Sequence, residues 1–174
     1  MNKGACIATG EWICFMNAGD TFYCTSTVES IFTKKVPKCD VIFGNTVFTY
    51  ENFSKCANSK NLNQFWKGMP FVHQSAFVNA DIQKKYPFRT DLKIAADFDF
   101  FYKRYKEGKA FSFCDKYVAV ATHGGVSDKS RILSVLERWR VVCSCGIYFH
   151  QSIYFALFVG IEVVKICIKF ILPK

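Results

Sequence analysis

An unbroken apolar run, Trp12 to Met16, lies between Gly10 and the polar tetrapeptide Asn17-Ala18-Gly19-Asp20. A strand that is half exposed alternates apolar and polar residues. An unbroken run is the pattern of a strand covered on both faces, as in a largely parallel α/β sheet. The short helical segment before it is expected to close at Gly10, where a positive φ costs nothing. Asp20 then falls at the carboxyl end of the strand, the edge at which open α/β sheets usually bind ligands.

The rest of the chain reads as mixed α and β. Thr25 and Ser26 offer caps for a helix running to about Lys35, which Pro37 ends. Asp40 to Tyr50 is rich in β-branched and aromatic residues around Gly44-Asn45, so it reads as a bent strand or two short ones. Glu51 to Gln64, with four Asn, reads as a surface loop. Phe71 to Val78 returns to strand character, and Asp81 to Lys85 forms a helical turn before Pro87. Phe98, Phe101, Tyr102 and Tyr105 fall at i, i+3, i+4 and i+7, the buried stripe of a helix that ends near Gly108. Asp97 lies in the first turn of that helix. Asp99, two residues on, is about 200° further round the helix, so the two carboxylates do not form a dyad.

The chain has 174 residues, which suits one compact domain plus an appendage. Its 23 Lys and Arg against 14 Asp and Glu give a net charge of +9. That charge suits anionic partners, such as phosphate groups or an acidic lipid surface. Nucleic acid is not expected, because no basic stripe is interleaved with stacking aromatics. The nine cysteines are odd in number and contain no C-x-x-C pair. They read as reduced, buried, structural thiols of a cytosolic protein, and a zinc site is not expected.

Val141 to Ile161 is 21 residues without a formal charge, just enough to cross a bilayer. Ser144, Gly146, His150, Gln151 and Ser152 interrupt it. Arg138 and Arg140 flank it on one side, and Lys165 and Lys169 follow among apolar residues on the other. This favours an amphipathic helix lying at a membrane surface over a spanning one, with packing against the preceding domain or a partner as the soluble alternative.

Four segments resemble the family 2 glycosyltransferases, enzymes of the GT-A fold. Asn2 to Asp20 is similar to an "NxGxxxAxGxxxxFLNxxD" segment leading into the metal and nucleotide-diphosphate site, and Pro70 to Gln74 is similar to an acceptor-side "PxxHQ". Ala96-Asp97-Phe98-Asp99 is similar to "(E/A)D-aromatic-(D/E)", and Gly124-Gly125-Val126-Ser127 to a "GGxS" loop that covers the site. The likeness lacks the strand-helix-strand portion that holds the nucleotide base in that family. The implied fold is a partial GT-A mixed sheet flanked by helices over residues 1–127, followed by an apolar and amphipathic helical extension over 128–174.

The resemblance implies metal-assisted inverting transfer of a sugar from a nucleotide-sugar donor to a glycan or lipid-linked acceptor, as in polysaccharide biosynthesis. Asp97 takes the place of the catalytic base and Asp20 that of the ligand to a divalent cation, Mg²⁺ or Mn²⁺. Asn17, Gly19, His73, Gln74 and His123 take the places that contact donor or cofactor. Asn17 and Gly19 stand where relatives are often acidic, leaving a single carboxylate in place of "DxD". A cytoplasmic, peripherally membrane-associated enzyme is expected, with the missing portion either lost or supplied by a separately encoded N-terminal partner. The other reading is a truncated, inactive remnant acting as a membrane-associated or partner-binding module. Taken singly, Asp20 reads more readily as a cap or turn residue, Asp97 as a first-turn carboxylate, and His73 as a satisfied histidine at a strand end.

Overall fold

The structure, a computed structural model, describes residues 1–33, 38–59, 61–122, 130–146 and 148–171, with side chains in the last helix defined to Ile168. Six strands form one curled mixed sheet: β1 (Trp12–Cys14), β2 (Thr21–Phe22), β3 (Val41–Thr49), β4 (Ser54–Ala57), β5 (Ala76–Asn79) and β6 (Phe111–Thr122). Their order is β1-β5-β3-β6-β2, and β4 pairs with the far end of β3. The helices are α1 (Asn2–Ile7), α2 (Thr27–Phe32), α3 (Ala80–Lys85), α4 (Ala96–Lys106), α5 (Arg131–Ser144) and α6 (Phe149–Ile171). Two 3₁₀ turns, Leu62–Lys67 and His73–Ser75, precede β5. The class is α/β, with a mixed sheet flanked by helices and consistent with a partial GT-A type fold.

β3 is the axis of the sheet. Its side chains alternate between two cores. Val41 and Phe43 face the cluster containing Phe65, Phe71, Phe98 and Phe101, while Ile42 joins Phe77, Val118 and Ile31 of α2. Burial on both faces is why the sequence shows so few polar residues here. The bend expected at Gly44-Asn45 is present as a shift of register between β3 and β6 at Phe43/Asn45 and Asn45/Thr46. Only glycine fits at 44, since a Cβ there would stand 2.6 Å from Val118 Cγ2 and 2.7 Å from the Lys116 carbonyl oxygen.

Several expectations are corrected. Among the described residues only β3 and β6 run parallel, while β1 pairs antiparallel with β5 and the other ladders are antiparallel too. An apolar run reports that both faces are covered but carries no information about the direction of the neighbouring strand. α1 ends at Ile7 with Ala8 extended, and Gly10 has no positive φ, so it is not the helix terminator. The polar stretch 51–64 contains β4, whose residues Ser54, Lys55 and Cys56 are exposed; an edge strand wet on both faces leaves no apolar alternation to read. His73 opens a 3₁₀ turn, three residues before β5 begins at Ala76. The cysteines are free, as expected, but Cys6, Cys24, Cys56 and Cys167 are exposed, not buried.

The uncharged run 141–161 is not one element. α5 carries it to Ser144, Gly146 turns the chain with φ 128°, and α6 takes it up at Phe149. The helix long and apolar enough to cross a membrane is Phe149–Ile168, eight residues further on. One face of α6 is buried, with Gln151, Phe155 and Glu162 against the rest of the chain. Its other face exposes Ile153, Leu157, Ile161, Val164 and Ile168.

Candidate active site

A short turn organises the site. Ser75 is buried and its hydroxyl meets the hydroxyl of Thr46 at 2.5 Å and the carbonyl oxygen of Asn45 at 3.2 Å, which fixes the 73–75 turn against the middle of β3. The Cys14 thiol donates to the Gln74 carbonyl oxygen at 3.5 Å from the other side. Burial pushes that thiol up to about 12, so it stays protonated and able to donate.

From this turn, two consecutive side chains reach two different carboxylates. The Gln74 amide Nε2 donates to Asp20 Oδ2 at 2.7 Å, and His73 Nδ1 lies 3.2 Å from Asp97 Oδ2. Each carboxylate is fixed at its other oxygen by backbone. Asp20 Oδ1 accepts from the Thr122 N–H at 3.1 Å, and Asp97 Oδ1 accepts from the Phe98 N–H at 2.7 Å. The far atoms of the turn, His73 Nε2 and Gln74 Oε1, are buried and have no hydrogen-bond partner among the described residues. A buried unpartnered acceptor beside a cavity is a group available to a ligand.

The cavity has a volume of about 720 Å³. His73, Gln74 and Asp97 line it together with Asn17, and Asp20 adjoins it through its partners Gln74 and Thr122, which also line it. Gly19 does not line it. It takes φ 91° in the turn closed by the Asp20 N–H on the Asn17 carbonyl oxygen, the conformation that aims Asp20 toward β6. Asp99 points elsewhere, to Lys103 at 2.8 Å and Arg89 at 3.4 Å. His123 and the Gly124–Ser127 motif lie outside the described residues.

The sequence reading missed the opposite wall. Arg131, Ser134, Val135 and Arg138 of α5 and Phe158 of α6 complete the cavity. Arg138 does not flank a membrane segment as expected; its Nη1 donates to the Lys67 carbonyl oxygen at 3.4 Å. Burial pushes its guanidinium below the usual value, while the charge of Asp97 opposes that shift. An arginine retains its proton under such conditions, so a fixed cation shares the cavity with Asp97. Nothing local distinguishes Arg138 from the exposed Arg140 two residues later, and only packing decides between them.

A divalent cation can be tested against these residues. Asp20 is a hard oxygen donor, and each of its oxygens keeps a lone pair beyond the bond it already accepts. Among the described residues no group of three His, Cys, Asp or Glu side chains converges on one point. A divalent cation here would therefore have to rest on one protein carboxylate, with phosphate oxygens and water as its remaining ligands.

The fold, consistent with a partial GT-A type α/β unit, thus holds a pocket lined by the Asp97 carboxylate and the guanidinium groups of Arg131 and Arg138. No family model matches the chain. It is 25% identical over 103 residues to a PGL/p-HBAD biosynthesis glycosyltransferase of Mycobacterium bovis, and to the same degree to one of Mycobacterium tuberculosis. The match covers 58% of this chain and 40% of each relative, so it spans about two-fifths of the length of the curated proteins it resembles. This distant likeness supports a glycosyltransferase-like role.

Proposed function

We propose that the chain is the acceptor-side part of a family 2-type glycosyltransferase that moves a sugar, with inversion, from a nucleotide-sugar donor. The observation that carries this reading is that Asp97 and the Gln74–Asp20 pair meet at one cavity, whose far wall is cationic. Asp97, held by His73 and the Phe98 N–H, is the base. It takes the proton of an acceptor hydroxyl as that oxygen bonds to the anomeric carbon and the bond from that carbon to the diphosphate breaks, its electron pair leaving with the diphosphate. Arg138 and Arg131 stabilise the negative charge of the leaving group. A divalent cation, held by Asp20, would supply further neutralisation there when bound. His73 Nε2 and Gln74 Oε1 are acceptors for sugar hydroxyls, and Asn17 lies within reach of the donor.

The exposed apolar face of α6 supports peripheral attachment to a membrane. Glu162, inside the apolar segment, is buried and paired with Arg131 at 3.4 Å and Lys165 at 2.9 Å, so α6 is held against α5. A helix held in this way suits lying in the interface more than crossing it. Because Phe158 of α6 also lines the cavity, an acceptor carried on a lipid would approach along this helix.

The test is calorimetric binding of a panel of UDP-, GDP- and dTDP-sugars in the presence of Mn²⁺. Binding of at least one donor is expected, with Asp20→Ala losing the metal-dependent part. Asp97→Asn should keep donor binding and lose transfer by about 10²–10⁴-fold. If no donor binds, the reading falls and the inactive remnant replaces it; if Asp97→Asn keeps full transfer, the base is another group.

A further inference from the structure

α4 begins without a cap of its own. Its N-cap position is Ala95, which has no side-chain acceptor, so the backbone N–H groups entering the helix need partners from elsewhere. For Ala95 and the two residues just ahead of the helix, that partner is one residue more than forty positions later. Glu137 of α5, 9% exposed, accepts from the Lys93 N–H through Oε1 and from the Ile94 and Ala95 N–H groups through Oε2, each at 2.9 Å. Three consecutive amides pointing at one carboxylate form an anion-binding nest, here occupied by the protein itself. Burial raises the carboxyl's proton affinity, but the three N–H groups and Lys93 outweigh it and hold Glu137 below its ordinary value, so the clamp is charged.

Asp97 is two residues beyond the last clamped amide. Leu92, just before the clamp, and Ala95, its last member, are both buried. On the same α5 helix, Arg138 follows directly and lines the cavity. The two neighbours therefore act on the site from opposite directions, one through the cavity and one through the backbone that carries Asp97.

We propose that Glu137 is a positioning residue: by clamping the amides of residues 93–95 it sets where Asp97 stands relative to His73 and the cavity. α5 is then part of the catalytic unit, not an attachment to it. The inference rests on the reading of Asp97 as the base for its functional weight, but the clamp itself is testable without any substrate.

The full chain, labelled at histidine, contains only three imidazoles, so the His73 ring can be followed by NMR. In Glu137→Gln, one donor-bearing nitrogen replaces an acceptor oxygen in the nest. Amide exchange at residues 93–95 should rise at least tenfold while residues 41–43 of β3 stay within about twofold. The His73 ring resonances should move toward the positions they take in Asp97→Asn, and the double variant should show no further movement. Where a donor from the panel is turned over, kcat should fall about 10–100-fold with donor KM within twofold, the pattern of a misplaced base. Glu137→Asp, which keeps the charge on a shorter arm, should restore part of each effect, and it replaces Glu137→Gln should that variant fail to fold. Unmoved His73 resonances in a folded Glu137 variant would overturn the proposal and leave Glu137 a purely structural clamp. Full transfer by Asp97→Asn would instead remove the base assignment, with the clamp still judged by the His73 resonances.

Discussion

Phe65, at the centre of the aromatic cluster, and Leu157, on α6, are both large apolar side chains, yet Phe65 is fully buried and Leu157 is 64% exposed. Phe65 sits among Phe71, Phe98, Tyr102, Tyr105 and Phe111, with ring centroids 5.6–6.3 Å away and mostly edge-on. Such packing adds directional contacts to the apolar area removed from water. α6 offers an apolar surface of similar composition but meets the chain with one face only, through Phe155 and its neighbours Trp66, Trp139 and Tyr154. Composition therefore decides how much surface must be covered, and connectivity decides whether the same chain can cover it. The cavity lies where the two regions meet, with Phe98 from the first and Phe158 from the second among its lining residues.

The contrast can be broken most forcefully at the cluster. Phe65→Ala should cost about 3–5 kcal/mol, from lost transfer energy and an unfilled hole, and should shift the urea midpoint accordingly. A loss under 1 kcal/mol would mean the cluster is loose and the contrast with α6 false. The clamp between the regions should show a pH dependence. Glu137 is held below its ordinary 4.5 in the folded chain, so its contribution is complete above that value and disappears as pH falls through the depressed one. Wild-type stability should fall on acidification by on the order of 1 kcal/mol more than that of Glu137→Gln, read from melts between neutral pH and pH 3. An equal fall in both chains would place the acid sensitivity in other carboxylates.

The smallest effect on stability is expected on α6. Leu157→Ser with Ile161→Ser should change it by no more than about 0.5 kcal/mol per site, as for exposed positions. The same pair should weaken sedimentation with anionic vesicles at least tenfold, since each side chain contributes about 1.5–3 kcal/mol when buried in an apolar phase. If the pair destabilises as strongly as Phe65→Ala, the exposed face is covered in solution by protein, and the contrast between the two regions collapses.

Much of the site could be read from the chain. The resemblance singled out Asp20, His73, Gln74 and Asp97 through short motifs, and the structure puts His73, Gln74 and Asp97 in the lining of one cavity with Asp20 hydrogen-bonded to Gln74 beside it. What those patterns did not reveal is that His73 and Gln74 are spent on the two carboxylates at one end and keep only their far atoms for a ligand. They also gave no sign of Glu137, whose sequence context, Leu136-Glu137-Arg138-Trp139, reads as an ordinary helix face. Its importance comes from three amides that are more than forty residues away in the chain. β4 was hidden for a related reason: an edge strand with wet faces has no pattern, only a partner.

The chain's own order of residues determined the buried strand β3 with its glycine kink, the aromatic helix α4, the carboxylates at its start and at the end of the first strand region, and the apolar excess of α6. These follow from local sterics and from periodic burial, which are written in neighbouring residues. Tertiary structure alone decided which way β1 and β5 run, which arginine of α5 faces the cavity, and which glutamate clamps the amides leading into α4. Those outcomes depend on charges and backbone groups brought together across long loops, where the free energy belongs to the contact and to neither segment by itself.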